Sequence, residues 1–286
     1  ITTYITEKGF VKFQPLGGWF DQVILAQRVV IKTSKGDVPG IIGCKPPHLM
    51  SEEDRKKVVQ IKDMFIDIGA SSRDEACSLG VRPGDPILPF SPFGVTANGK
   101  LLMGKAWDDR VGCALFVEVL RNLATTSHPN TVYGVGTVQE EVGLRGATTS
   151  SYAIDPDVGF ALEVDIAGGA PGMDEAEALS RMGQGPSLTV YDASMIPNVK
   201  LRDFVISVAE EEKLPLQMNF MARGGTDAGR IHIHGRGVPS VVIGVPSRYI
   251  HSHVGLIHKD DFDATVALLV ALVKRLDSAT VAGLKL

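Results

Sequence analysis

The pattern of hydrophobic and polar positions changes near residue 92. Before this point, short apolar runs at 23–25, 29–31 and 41–42 alternate with turns that contain glycine or proline. Such runs between turn signals predict β-strands. Only two short helices are expected here, at about 51–59 and 72–79, the first beginning after a serine that can cap it. Residues 1–92 therefore predict a small β-rich domain that resembles a barrel.

After residue 93 the apolar residues alternate between helical and strand-like spacing. Helical spacing predicts helices at about 110–124, 198–213, 226–234 and 261–276. Short apolar runs predict strands at 131–138, 159–164, 187–190, 216–221 and 240–244. This alternation predicts an α/β/α sandwich with a mostly parallel mixed sheet, in which ligands bind beyond the carboxyl ends of the strands.

Composition narrows the class of protein. Of the 286 residues, 44% are hydrophobic and 22% are charged, which is typical of a globular protein. A net charge of -4 provides no basic field for nucleic acid, and the apolar runs are too short to span a membrane. The three cysteines, Cys44, Cys77 and Cys113, form no CxxC motif, so a reduced, cytoplasmic setting is expected.

Paired carboxylates are the first candidate for chemistry. Asp108 and Asp109 precede a predicted helix, where acids also serve as caps. Glu140 and Glu141 follow a buried strand, and because neighbouring side chains of an extended segment point opposite ways, one can bind a metal while the other acts as general base. Glu163 ends another strand. Asp165, two positions later on the same face, is an alternative ligand to Glu163.

A late histidine completes the candidate site. His251 follows the strand at 240–244, and an imidazole added to carboxylates gives a ligand set that suits zinc or cobalt. The segment 224–229 is either a substrate-cleft loop or a plain tight turn. No Gly-x-Ser-x-Gly motif occurs, so the residues favour metal-assisted hydrolysis over catalysis by a serine nucleophile.

Together these motifs resemble the tetrahedral (TET-type) aminopeptidases, which include glutamyl and deblocking aminopeptidases. The resemblance covers essentially the whole chain, and its most specific segments are 108–110, 138–147, 225–229 and 248–252. It implies a catalytic α/β peptidase domain at 93–286 beside a small barrel-like (PDZ-like) dimerisation or lid domain at 1–92. It also implies peptide substrates and dimers that build hollow tetrahedral dodecamers.

The resemblance implies two divalent metal ions, zinc or cobalt, in each subunit. Asp108 would bridge the two ions, Glu141 and His251 would complete one site, and Glu163 would serve the other. The family's second ion also takes a histidine from a His-x-Asp-Glu segment upstream of the β-domain. None of the seven histidines here stands in that place, so we expect that the given chain lacks the N-terminal part of its peptidase domain.

The resemblance also implies the catalytic roles. Glu140 would be the general base that activates water, and Asp109, joined to Asp108 by a cis peptide bond, would orient the site. Arg248, Gly225 and Thr226 are the candidates for substrate binding. The implied activity is removal of N-terminal residues from peptides, and the sequence does not fix the preferred residue.

Two alternative functions stay open at this stage. One is a glycosidase, since some relatives have been labelled cellulases, and it would need two carboxyl groups flanking one bond. The other is a catalytically silent scaffold that keeps the fold and assembles without turnover. Metal content and activity on aminoacyl substrates separate these possibilities.

Overall fold

The computed structural model describes residues 1–285, which form two compact units. The first unit contains residues 1–93 and the short segment 251–254. The second contains residues 94–250 and continues from residue 255 to the end of the described chain. The chain therefore passes from the first unit to the second between residues 93 and 94.

The first unit is built on a six-stranded sheet. Every neighbouring pair in the order β1-β2-β5-β4-β3-β6 is antiparallel. Its core consists of buried aliphatic side chains, among them Ile31, Met64 and Ile66. The elements of the unit are β1 (Thr2–Ile5), β2 (Val11–Phe13), β3 (Arg28–Thr33), β4 (Gly36–Gly43), α1 (Glu52–Arg55), β5 (Phe65–Asp67), α2 (Arg73–Ser78) and β6 (Ile87–Pro89).

Both predicted helices of the first unit are present, and serines begin them. The Ser51 hydroxyl accepts a hydrogen bond from the Asp54 amide, and the Ser72 hydroxyl accepts one from the Glu75 amide. These bonds satisfy amide donors that have no partner inside the helix. Helix α1 ends at Arg55, earlier than the predicted residue 59.

The second unit contains a seven-stranded sheet and the helices α3 to α8. The sheet runs β11-β10-β12-β13-β8-β7, and β9 pairs with the other edge of β12. The elements are β7 (Gly94–Val95), β8 (Leu101–Gly104), α3 (Trp107–Leu123), α4 (Arg145–Ile154), β9 (Gly159–Ile166), β10 (Ser187–Asp192), α5 (Val199–Glu211), β11 (Gln217–Met221), α6 (Ala228–Ile231), β12 (Ser240–Arg248), β13 (Gly255–His258), α7 (Lys259–Arg275) and α8 (Ser278–Leu284).

The sheet of the second unit is mixed, and the expectation that it is mostly parallel is wrong for the described residues. Only β10–β11 and β9–β12 are parallel pairs. The pairs β10–β12, β12–β13, β8–β13 and β7–β8 are antiparallel. The short connections after β7 and β12 explain part of this difference, because a short loop joins neighbouring strands only in antiparallel order.

Strand β12 is the centre of this unit. Its first eight residues are buried, and it pairs with β9 along its length, with β10 near its start and with β13 at its end. On one face, Val241, Ile243 and Val245 belong to the core that also contains side chains of α3 and α7. On the other face, Val242 packs with Ala161 of β9. Since side chains alternate between faces, Glu163 and Asp165 lie on the same face as Ala161.

The predicted strand at 131–138 is not a strand in the described structure. These residues run in an irregular conformation, and Tyr133 and Val138 are exposed. The segment nevertheless leads directly into the two glutamates at 140 and 141. Among residues 1–285, no helix has the length and apolar character that crossing a membrane requires.

Candidate metal centre

The backbone at the start of α3 sets the positions of Asp108 and Asp109. The connection from β8 reaches the helix within two residues, and the peptide bond between the two aspartates is cis, as the resemblance implied. The Gly112 amide donates a hydrogen bond to Asp109 Oδ1, 3.0 Å away. A Cβ atom at Gly112 would stand 2.2 Å from Asp109 Oδ2 and 2.5 Å from the Leu162 carbonyl oxygen. Glycine at 112 therefore lets the backbone of α3 lie close to both the Asp109 carboxylate and β9.

Glu140 and Glu141 lie in the turn that precedes α4. The Gly146 amide donates to the Val138 carbonyl oxygen over 2.8 Å, and the Gly143 and Leu144 amides both donate to the Glu140 carbonyl oxygen. A Cβ atom at Gly146 would stand 2.4 Å from the Val138 nitrogen. The two glutamates are thus held by a compact turn packed on the first residues of α4.

His251 comes from the connection between β12 and β13. It lies three residues after the end of β12 and four before the start of β13, so both strands limit where it can go. Its Nδ1 atom lies 2.8 Å from the Gly18 carbonyl oxygen. A carbonyl only accepts, so Nδ1–H donates in this contact. In the neutral ring Nε2 then carries the lone pair, which leaves that nitrogen able to bind a metal.

Three predicted ligands come together. Asp108, Glu141 and His251 each offer one ligand atom, and these atoms all lie within 4.8 Å of one another. Two carboxylate oxygens and one imidazole nitrogen form a donor set that suits zinc and cobalt. This arrangement fits a divalent ion on the chemistry and spacing of its donors.

Glu163 lies within β9, which continues to Ile166, rather than at the end of the strand. Its side chain is buried, and its pKa responds to the charges of Asp109, Glu140 and Asp108. Glu163 is therefore a neighbour of the acids at the start of α3 and in the turn before α4. Its burial among other acids is consistent with a role at a second cation.

The carboxylate of Asp165, the alternative ligand, is occupied by hydrogen bonds from other residues. Its carboxylate accepts hydrogen bonds from the Ser180 hydroxyl over 2.6 Å, from the Asn219 side-chain amide and from the Ile166 amide. The group is buried in the sheet. These bonds give Asp165 a structural role and favour Glu163 as the ligand from β9.

Burial and mutual repulsion both raise the pKa values of the acid group, and burial has the larger effect. Burial, followed by the charges of Asp108, Glu140 and Asp227, raises the pKa of Asp109 to about 8 against the opposing effect of the Gly112 amide. Burial, followed by the charges of the same group of acids, also raises the pKa of Glu163 well above its usual range. Carboxylates arranged in this way retain protons or require cations.

The raised pKa of Asp109 predicts how the metal-free protein responds to pH. In the unfolded chain an aspartate titrates near pH 4, whereas in the folded chain Asp109 retains its proton up to about pH 8. The folded state binds more protons over that interval, so the contribution of Asp109 to the free energy of unfolding falls as pH rises from about 4 to about 8.

We therefore expect chelator-treated protein to melt at a lower temperature at pH 8 than at pH 6, and added Zn²⁺ to recover most of the loss. Differential scanning calorimetry across this range measures the effect. Asp109→Asn should flatten the pH dependence, whereas the matched change at the exposed Asp74, Asp74→Asn, should leave it as in the wild type. Equal slopes for the two variants would contradict the assignment.

The candidate substrate-binding residues occupy different environments. Arg248 ends β12 and is half-buried, with its Nε atom buried. Gly225 lies in the loop before α6. The Thr226 hydroxyl donates to Asp192 Oδ2 over 2.9 Å and is buried, so this hydroxyl has a structural partner.

Two residues near the acids, Asp227 and Thr137, were not predicted to be functional. Asp227 was read only as part of the loop at 224–229, yet its side chain is buried and its charge acts on Asp109 and Glu163. Its carboxylate accepts a hydrogen bond from the Thr137 hydroxyl. The available signal was an aspartate directly after two glycines and a threonine, a pattern that tight turns share.

Comparisons with known proteins identify the family of this chain. A family model described as M42 glutamyl aminopeptidase matches residues 1–268. The glutamyl aminopeptidase of Lactococcus lactis subsp. cremoris (strain MG1363) is 37% identical over 283 residues, which cover 98% of this chain and 78% of that protein.

Two solved structures extend the similarity to the fold. The TET aminopeptidase of the marine sediment archaeon Thaumarchaeota archaeon SCGC AB-539-E09 is 54% identical with a TM-score of 0.98, and the match covers 100% of this chain and 80% of that chain. The TET1 peptidase of Pyrococcus horikoshii, described as able to assemble into a tetrahedron or a large octahedral shell, is 33% identical with a TM-score of 0.84 over 96% of this chain and 80% of that one. With a family match over most of its length, the chain belongs to the M42 glutamyl aminopeptidase family of hydrolases.

Proposed function

We propose that this aminopeptidase works with two divalent ions, zinc or cobalt, held by the acid group and His251. The observation that carries the proposal is the convergence of ligand atoms from Asp108, Glu141 and His251 within 4.8 Å. Asp108 would contribute to both ions and Glu163 to the second. When bound, the ions would supply Lewis acidity that polarises the scissile carbonyl and lowers the pKa of water.

In this proposal the residues of the chain divide the work. Glu140 takes a proton from the attacking water and later gives it to the leaving amine. Its position directly before Glu141, in a turn fixed by backbone hydrogen bonds, supports this role. Asp109 orients the site through its bond from the Gly112 amide. Arg248, Gly225 and Thr226 are proposed to contact the peptide, with Thr226 acting through its backbone.

The two parts of the chain would have different tasks. Residues 93–286 would carry the chemistry, and residues 1–92 would form a barrel-like, PDZ-like dimerisation or lid domain. The antiparallel six-stranded sheet of the first unit supports this proposal. The shells formed by the Pyrococcus horikoshii relative support assembly of dimers into a dodecamer. Light scattering would test it, and a monomer at micromolar concentration would contradict it.

The cytoplasm is the proposed location. All three cysteines are thiols rather than disulfides, and Cys77 and Cys113 are exposed. Exposed thiols persist where reducing systems maintain them. Fractionation of the source cells would test this proposal, and recovery of the protein only from outside the cytoplasm would contradict it.

The function is tested by hydrolysis of aminoacyl-p-nitroanilides and short peptides. We expect release of the N-terminal residue, loss of activity after dialysis against a chelator, and recovery with Zn²⁺ or Co²⁺. Peptides with an acetylated N-terminus are the matched control and should resist cleavage. Sugar release from cellulose would support the glycosidase alternative, and metal binding without turnover would support the silent scaffold.

A further inference from the structure

We propose that the hydrogen bond between Thr137 and Asp227 positions the turn that carries Glu140 and Glu141. The proposal rests on the proposed function, because it concerns the proposed base and one proposed metal ligand. The Thr137 hydroxyl donates to Asp227 Oδ2 across ninety positions of sequence. Both residues are positioning residues, since they act through the turn.

Thr137 lies close to Glu140 along the chain. It precedes Glu140 by three residues, and three residues of chain span at most about 11 Å, so an anchor at Thr137 limits the position of Glu140. The next residue, Val138, is fixed through its carbonyl oxygen by the Gly146 amide over 2.8 Å. A side-chain bond and a backbone bond therefore hold consecutive residues directly before the two glutamates.

The Asp227 side chain is buried and has few hydrogen-bond partners among the described residues. Only 8% of the residue is exposed, and its Oδ1 atom accepts no hydrogen bond from the described residues. Asp227 precedes α6 in the position of a capping residue, yet its side chain makes no capping bond. Burying a carboxylate is costly unless hydrogen bonds or charges compensate. The hydrogen bond from Thr137 therefore offsets part of the cost of burying the Asp227 carboxylate.

The loop around Asp227 is itself fixed. The neighbouring Thr226 donates its hydroxyl to Asp192 Oδ2 over 2.9 Å, and Ser194 donates its amide and hydroxyl to Asp192 Oδ1 over 2.6 Å each. Asp192 ends β10 and is buried. The anchor at Asp227 is therefore connected to the sheet, so it is rigid enough to position a turn outside regular secondary structure.

Thr137→Val tests the proposal, because valine keeps the shape of threonine and removes the hydroxyl. We expect kcat to fall roughly tenfold to a hundredfold, as small displacements of catalytic groups do, with a much smaller change in KM. Thr137→Ser keeps a hydroxyl donor and should return kcat to within about threefold of the wild type. In the Co²⁺ protein, the visible absorption spectrum should change in Thr137→Val and recover in Thr137→Ser.

Thr265→Val is the matched control. Thr265 is fully buried in α7 and donates its hydroxyl to the Asp261 carbonyl oxygen over 2.6 Å. This variant should lose thermal stability and keep both kcat and the Co²⁺ spectrum. If Thr137→Val behaves in the same way, its hydroxyl is merely structural and the proposal is overturned.

A double-mutant cycle gives an independent check. If Thr137 and Asp227 act as one unit, Thr137→Val combined with Asp227→Ala should lose no more kcat than the worse single variant. Fully additive losses would overturn the proposal. If the wild type binds Co²⁺ but is inactive, only the proposed function is contradicted. The Co²⁺ spectra of Thr137→Val and Thr137→Ser then still decide whether the hydroxyl positions Glu141. Failure of the wild type to bind Co²⁺ would overturn both.

Discussion

Glu140→Gln should reduce kcat about a thousandfold while metal content stays at the wild-type value. Glutamine has the same shape as glutamate and accepts hydrogen bonds, but it cannot take a proton from water. A thousandfold loss corresponds to about 4 kcal/mol of transition-state stabilisation. Steady-state kinetics on an aminoacyl-p-nitroanilide, with elemental analysis of the same sample, measures both quantities.

The control for this change is Glu210→Gln, at an exposed glutamate of α5. It makes the same chemical change away from the acid group and should leave kcat and metal content unaltered. Rates for Glu140→Gln within a few-fold of the wild type would show that Glu140 is not the base. Loss of metal from this variant would instead place Glu140 among the ligands.

His251→Ala should lose metal first and activity as a consequence. Removing the only nitrogen from the group of three ligands leaves two carboxylates, which bind zinc more weakly. Because a bound ion supplies several kcal/mol of charge stabilisation, we expect kcat/KM at limiting metal to fall at least about a hundredfold. Isothermal titration with Zn²⁺ should show at least one fewer tight site.

A large excess of metal should partly restore the activity of His251→Ala, because the remaining ligands still bind weakly. His48→Ala, at an exposed histidine of the first unit, is the matched control and should bind metal as the wild type does. An unchanged number of tight sites in His251→Ala would remove His251 from the metal centre.

Local signals in the sequence were sufficient for several elements. A serine cap predicted the start of α1, and apolar residues at helical spacing predicted α3, α5 and α7. Each of these signals lies within one turn or one face of the element concerned, so no knowledge of the rest of the fold is needed.

Elements that depend on tertiary contacts were not predicted. Helix α4 contains consecutive threonines and serines, which favour helices weakly, and Thr149 and Ser150 bond back to carbonyl oxygens of the preceding turn. Packing of Gly146 against Val138 supports the start of this helix. The apolar run at 131–138 has the pattern of a strand, but a strand requires a partner that the pattern does not specify.

The candidate site shows the same division. Residue type and position nominated His251 and the acid pairs at 108–109 and 140–141. The resemblance then implied Asp108 and Glu141 as ligands, and the fold brings them together with His251. The residues alone left Glu163 and Asp165 as alternatives, and the resemblance implied Glu163. The hydrogen bonds that occupy Asp165 could not be predicted, because Ser180 and Asn219 come from other parts of the chain. The Thr137–Asp227 contact also joins distant segments, and no local pattern predicts it.

The pairing of β12 with β9 constrains how related enzymes can diverge. In this register Glu163 lies beside Gly244, and a slip by one residue would turn every side chain of the shifted strand to the opposite face. An added residue inside either strand would therefore separate Glu163 from the other acids. A longer or shorter connection between β9 and β10 leaves that register intact, so this loop can change in length while Glu163 keeps its place in the sheet.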